Sequence, residues 1–237
     1  AAFCAREHIP HATLTPDSPI AGSLQAAART ARYDLLDGWR REQGIDFIVT
    51  AHHADDQLET MIMRLNPSSR AGGLASIRAR NGQVLRPLLG WRHMDLTRLA
   101  LDQDIPFVDD PSNSDERFDR ARLRHALRYQ STIDAEAAAR SARWLAEADE
   151  ALDWAVDQAI TSWPEVDDTA VIRDLGYPPE LFRRIVMRRL SHADPRLVLR
   201  GVTLDTVIAA MREGRRAMVG SLLIDAAGER DGSIWRI

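Results

Sequence analysis

Apolar positions recur at helical spacing along much of the chain, interrupted by short apolar runs that end in polar clusters. Leu24, Ala27, Ala28, Ala31, Leu35 and Trp39 fall on one stripe. Ser23 stands where an N-cap belongs, so a helix is predicted from there to about Gln43, closed by Gly44. Ile45 to Thr50 then reads as a buried strand, and a second helix is predicted from about Asp55 to Leu65. Upstream, Ala1 to His8 suits the end of a helix, His11 to Thr15 a short strand, and PDSPIAG a turn. The order α-β-α-β-α is that of a parallel sheet with covering helices. Asn66 to Gly73 reads as a loop and Val84 to Trp91 as a short apolar segment. Met94 to Gln103 reads as a helix, and Ile105 to Glu116 as a short strand running into a polar loop.

Beyond Tyr129 the alternation of strand and helix stops. Asp134 to Ile160 reads as one long helix, with Trp144, Ala148, Ala151, Leu152, Ala155 and Ala159 on one stripe. TSWPEVDD breaks it. Helices are predicted from Pro179 to about Leu190 and from Thr203 to Arg212, and the end of the chain reads as two strands joined by a glycine-containing turn. A domain boundary is placed near Tyr129. Residues 1–129 form an α/β domain, and 130–237 a mainly helical domain with a short C-terminal β-hairpin.

Composition narrows the class without deciding it. With 45% hydrophobic and 28% charged residues, the chain is ordinary for a globular protein. No apolar run approaches the roughly 18 residues that would cross a bilayer, and the start has no signal-peptide pattern. Cys4 is the single cysteine. An intrachain disulfide, a cysteine zinc site and a redox pair are all excluded, and a reducing, cytoplasmic setting is expected. All 31 basic residues are arginine. The net charge of −4 argues against indiscriminate coating of nucleic acid, so any such contact is a local patch. The chain opens without Met inside a helical pattern, and a piece of a longer protein is expected.

The candidate chemistry lies in TAHHADDQLET, Thr50 to Thr60, at the end of the Ile45–Thr50 strand. Ligands bind beyond the carboxyl ends of strands in open parallel sheets. Asp55 and Asp56 fall at a helix N-terminus, where the dipole favours acids, so simple capping accounts for either alone. Asp56 and Glu59 share a helix face. Such a pair can hold a Mg²⁺ ion with its waters or an ammonium group. A zinc hydrolase is a rival reading, but His52, His53 and Asp55 are crowded rather than alternating. Further on, Arg117, Arg120, Arg124 and Arg128 lie at i, i+3, i+7 and i+11, a stripe that suits phosphates or a salt-bridged surface, with Leu123 and Leu127 on another face.

AHHADDQLET resembles the His-His-x-Asp-Asp-Gln-x-Glu-Thr signature of tRNA(Ile)-lysidine synthetases, a family of the ATP-pyrophosphatase superfamily. AARTARYDLL from Ala27, LRPLL from Leu85 and DDPSNSDERFDRARLRHAL from Asp109 are similar to three further motifs of that family, in order. The resemblance implies a domain of the adenine nucleotide alpha hydrolase-like type and ATP-dependent attachment of L-lysine to the wobble cytidine of an isoleucine tRNA. ATP, Mg²⁺, tRNA(Ile) and L-lysine are the cofactors and partners it implies, with no membrane, and it leaves a homodimer open. Asp56 and Glu59 would hold the lysine ammonium or a metal, His52 and Asp55 would shape the site, and Arg32 would face the phosphates. Arg29 is expected to be a surface residue. Arg70, Arg117, Arg120, Arg124 and Arg128 would contact tRNA, and Asn113 would fix its own loop. The family's Ser-Gly-Gly-x-Asp-Ser phosphate loop is absent from the sequence, so it is expected upstream of Ala1 and the chain by itself is expected to be inactive. A non-catalytic RNA-binding module on the same scaffold, and a metal-dependent hydrolase, are the alternatives.

Overall fold

A computed structural model describes residues 1–17, 24–108, 119–128, 132–161, 163, 171–199, 201–226 and 234–237, with side chains described for all of these except 24–26, 128, 202 and 226. The chain divides into two compact units, Ala1–Glu147 and Ala148–Ile237. The division falls within a single long helix. Tyr129, where the sequence predicts the boundary, lies outside the described residues.

The first unit holds α1 (Ala2–Arg6), α2 (Leu24–Glu42), β1 (Ile48–Val49), α3 (Ala54–Leu65), α4 (Ala71–Leu74), β2 (Arg80–Asn81), β3 (Val84–Leu85), α5 (His93–Asp102) and α6 (Asp119–Arg128), with the start of α7 (Ala135–Thr161). Its sheet has the order β1-β3-β2. β1 and β3 are parallel, with Ile48 opposite Val84 and Val49 opposite Leu85. β2 and β3 form an antiparallel hairpin. The two residues between them are Gly82 and Gln83, and Gly82 adopts φ 57°, which a side chain would resist. A glycine at the first of the two turn positions is a hairpin signal that the sequence reading leaves unused.

The parallel βαβ frame is as expected, but the strands are shorter. Only Ile48–Val49 of the predicted Ile45–Thr50 is a strand. Residues 11–15 and 105–108, predicted as strands, are in neither strand nor helix. Both have strand-like composition, but composition does not supply a ladder partner, and a strand exists only when paired. The predicted loop at 66–73 gains the single turn α4.

A small core packs Ala54 and Leu58 of α3 against Ala135, Ala138 and Ala139 of α7, with Met61, Ile62 and Leu127 at its edge. That core uses a different face of α7 from the one expected. Trp144 is 56% exposed, and Ala148 and Ala151 are exposed with it, while Ala135, Ala138, Ala142, Asp149 and Val156 are buried.

In the second unit, the rest of α7 is joined by β4 (Val171–Arg173), α8 (Pro179–Ala193), α9 (Gly201–Arg212), β5 (Ala217–Val219), β6 (Leu222–Ala226) and β7 (Ile234–Arg236). The expected terminal hairpin is present as β5–β6, turning at Gly220 with φ 58°. It belongs to a four-stranded antiparallel sheet of order β4-β7-β6-β5. Phe182, Ile185 and Leu190 of α8, Leu204 and Met211 of α9, and Ile172, Ile224 and Trp235 of the sheet make one core. α8 is also tied by charge. Arg184 donates to Asp149, to Asp153 at 2.9 Å and to Glu180 at 3.1 Å, and Arg189 donates to the Val171 carbonyl at 3.0 Å. No described helix is long and apolar enough to cross a membrane.

Candidate active site

The site begins where β1 ends. The Thr50 N–H donates to the Leu85 carbonyl at 2.9 Å, extending the parallel ladder by one residue. Thr50 Oγ1 lies 3.0 Å from His52 Nδ1, which fixes the imidazole beside the strand mouth. His53 is the N-cap of α3. Its backbone N–H donates to Asp56 Oδ2 at 3.0 Å, the carboxylate half of a capping box. Asp55 and Asp56 both occupy the first turn, where the helix dipole stabilises them.

The next residues reach outward to three different segments. The Ala54 N–H donates to the Trp91 carbonyl at 2.8 Å. Asp55 accepts from Arg92 Nε at 3.2 Å, from Arg92 Nη2 at 3.1 Å and from the His93 N–H at 2.7 Å, so it also serves the opening of α5. Gln57 is buried and pairs in both directions with Ile77: its amide donates to the carbonyl at 2.7 Å and accepts from the N–H at 2.8 Å. That clasp holds a turn in which Ser76 takes φ 58°, an uncommon conformation for a residue with a side chain. Glu59, 2% exposed, accepts from Arg120 Nε at 2.8 Å, from Arg124 Nε at 2.7 Å and from Arg124 Nη2 at 3.0 Å. Arg120 also donates to Thr60 Oγ1 at 3.2 Å. Asp56 Oδ1 lies 3.5 Å from Arg120 and 3.9 Å from Arg124.

The electrostatics follow from this packing. Burial raises the Asp55 carboxyl, but the His53 ring, the His93 N–H and Arg92 more than offset it and hold it well below the usual carboxylate range. Burial pushes the His52 imidazole down, Arg86, Arg29 and Arg120 push it further, and Asp56 opposes them. His52 is therefore neutral at neutral pH. The hydrogen bond to Glu59 raises Arg124 above its ordinary value.

A family described as PP-loop domain matches residues 1–131. The tRNA(Ile)-lysidine synthase of Novosphingobium aromaticivorans is 37% identical over 246 residues, covering 100% of this chain and 73% of its own length. The enzyme of that name from Zymomonas mobilis is 33% identical with the same coverage. The one from Ruegeria pomeroyi is 36% identical, over 88% of this chain and 52% of its own length.

This chain belongs to the tRNA(Ile)-lysidine synthase family. The matches favour neither the RNA-binding module nor the metal-dependent hydrolase. Among the described residues no group of three or more His, Cys, Asp or Glu side chains is arranged to hold a metal ion. For a chain of the lysidine synthase family, the signature segment reads as a wiring scheme. His52, Asp55, Asp56 and Glu59 come together at the start of α3, as the sequence reading expects. Arg120 and Arg124 come to the same place, but from α6 and turned inward onto Glu59. Arg32 is exposed on α2 and makes no hydrogen bond or ion pair among the described residues. Arg29, expected at the surface, is exposed and stacks over Tyr33 at 5.2 Å, and it is the α2 residue whose charge reaches His52. Arg70 caps α4. Arg117, Asn113 and the Arg128 side chain lie outside the described residues.

Sequence reasoning misses Gln57, Arg86 and Arg92. Gln57 stands inside the quoted signature, and a glutamine on the buried side of an amphipathic helix is itself a sign of a specific backbone partner. Arg86 opens the Arg-Pro-Leu-Leu segment, between an apolar strand and a proline.

Proposed function

We propose that this protein modifies tRNA by ligating L-lysine to the wobble cytidine of the isoleucine tRNA with a CAU anticodon, giving lysidine. The base's 2-carbonyl oxygen attacks the α-phosphorus of ATP and pyrophosphate leaves. The lysine ε-amine then adds at C2, AMP leaves with that oxygen, and the amine proton passes to solvent or to a base. The reaction occurs in the cytoplasm. The observation that carries the reading is the meeting of Asp56 and Glu59 with Arg120 and Arg124 at the strand mouth.

That meeting supports paired roles. Asp56 and Glu59 receive the substrate ammonium. Arg120 and Arg124 hold the acidic pair until tRNA phosphates draw them away, and Arg70, Arg117 and Arg128 are given further contacts with tRNA phosphates. His52, neutral and oriented by Thr50, lines the site. Asp55 orients the α5 opening, and Arg32 faces the phosphates. The phosphoryl groups of ATP supply the leaving groups, and guanidinium groups stabilise the charge that develops on them. Asp56 and Glu59 do not fit Mg²⁺ as they stand. Glu59 has both oxygens on guanidinium groups and Asp56 faces the same cations, so no step is assigned to a metal there.

The test is ATP-dependent transfer of labelled lysine to a CAU-anticodon tRNA(Ile) transcript, using the protein from its full reading frame. Transfer that falls at least a hundredfold in Asp56→Ala, with tRNA affinity nearly kept, is the expected result. Absence of transfer by the wild-type protein overturns the reading.

A further inference from the structure

Arg86 is 6% exposed, so its guanidinium is almost sealed from water. It follows β3 directly. The ladder that sets Val49 opposite Leu85 and joins the Thr50 N–H to the Leu85 carbonyl brings Arg86 beside Thr50, the residue that holds His52. Its backbone N–H donates to the Ala79 carbonyl at 2.9 Å and its Nη1 to the Arg78 carbonyl at 2.9 Å. Its Nε–H is buried with no hydrogen-bond partner. Among the described residues no carboxylate lies within ion-pair distance of it, in contrast to Arg92, Arg120, Arg124 and Arg184. A buried charge without a counter-charge is costly, and native structures retain one where it has a task. Its position at the carboxyl end of a parallel strand is where such sheets take their ligands.

The segment that Arg86 leans on is itself held. Gln57 clasps both backbone groups of Ile77, and the next two carbonyls, of Arg78 and Ala79, are the ones that Arg86 engages. One buried amide on α3 thus sets the height and direction of the guanidinium.

We infer that Arg86 binds an oxyanion at the carboxyl ends of β1 and β3, a phosphate group of a nucleotide or of pyrophosphate, and that Gln57 is its positioning residue. The inference rests on the reading of the protein as an ATP-using enzyme. Nε–H supplies the unmet donor, and the fixed positive charge of arginine supplies the attraction at any physiological pH.

Titration calorimetry on the protein from its full reading frame tests this with three ligands: pyrophosphate, AMP and adenosine. Arg86→Gln is expected to weaken pyrophosphate and AMP by about ten- to a hundredfold while adenosine affinity stays within about twofold. Arg86→Lys recovers part of the loss, and Gln57→Ala weakens pyrophosphate with Arg86 intact. Equal pyrophosphate affinity in Arg86→Gln and wild type overturns the inference, as does a parallel loss of adenosine, which marks a structural role only. Lysine transfer measured alongside separates the two failures. A wild type that transfers lysine, with pyrophosphate affinity indifferent to Arg86, removes this inference alone. A wild type that neither transfers lysine nor binds pyrophosphate removes both.

Discussion

Arg124 reaches back 65 residues to grip Glu59, with its Nε 2.7 Å from Oε1 and its Nη2 3.0 Å from Oε2. Arg120 takes the same carboxylate from one turn earlier. The bond joins α6 to the signature helix α3, and it places charge that a surface helix would normally offer to solvent against a sealed acid.

Removing that acid is predicted to cost more than removing the whole cluster. Glu59→Ala leaves two partly buried guanidinium groups facing each other, a loss of about 3 kcal/mol. Adding Arg120→Met and Arg124→Met relieves the repulsion and recovers most of it. Urea melts of the single and triple variants measure the difference. A triple variant no more stable than Glu59→Ala contradicts the assignment.

Gln57→Ala is predicted to destabilise by about 2–3 kcal/mol, because the Ile77 N–H and carbonyl both lose their partner. Hydrogen exchange gives a local readout. The Ile77 amide is expected to exchange much faster in the variant, while amides in the core of α8 change only by the global loss.

Asp55 gives the pH dependence. Its native carboxyl lies below its ordinary value near 3.9, so its contribution is complete above that value and fades as pH falls toward the native one. The stability gap between wild type and Asp55→Asn is therefore predicted to be constant from pH 7 to about 5 and to shrink from there to about pH 2. A gap that widens on acidification reverses the sign and removes the Arg92–Asp55 pair as its source.

Arg124→Ala is predicted to weaken tRNA binding and to reduce the slope of log affinity against log salt by about one phosphate contact. An unchanged salt slope, measured by filter binding across a salt series, takes Arg124 out of the RNA interface and leaves it as the partner of Glu59 alone.

What was legible in the sequence follows a physical line. The helix over residues 54–65, its acidic first turn and the βαβ frame all depend on near neighbours, and spacing reports them. The owner of Glu59 could not be read, because its partners lie 61 and 65 positions away and a carboxylate's appearance in sequence is the same whether it awaits a ligand or already holds an arginine. The stripe on α7 failed for a related reason. An alanine-rich helix offers more than one apolar face, and only the packing neighbours decide which one is covered, here the face of Ala138 and Val156 rather than that of Trp144. The hairpin turning at Gly82-Gln83 carried a glycine at its first turn position but was not read from the sequence. Arg86 was legible as an oddity only, an arginine set in a run of leucine and valine.

The cations gathered around Asp56 and His52 are all guanidinium groups, and the chain has no lysine anywhere. Guanidinium keeps its proton across the whole working range of pH. In the proposed reaction, then, no side chain of residues 1–237 can lose a proton and compete with the incoming lysine as an amine nucleophile. An amine-directed reagent would therefore find no side-chain amine in residues 1–237, and this segment stays silent while the arriving lysine is followed.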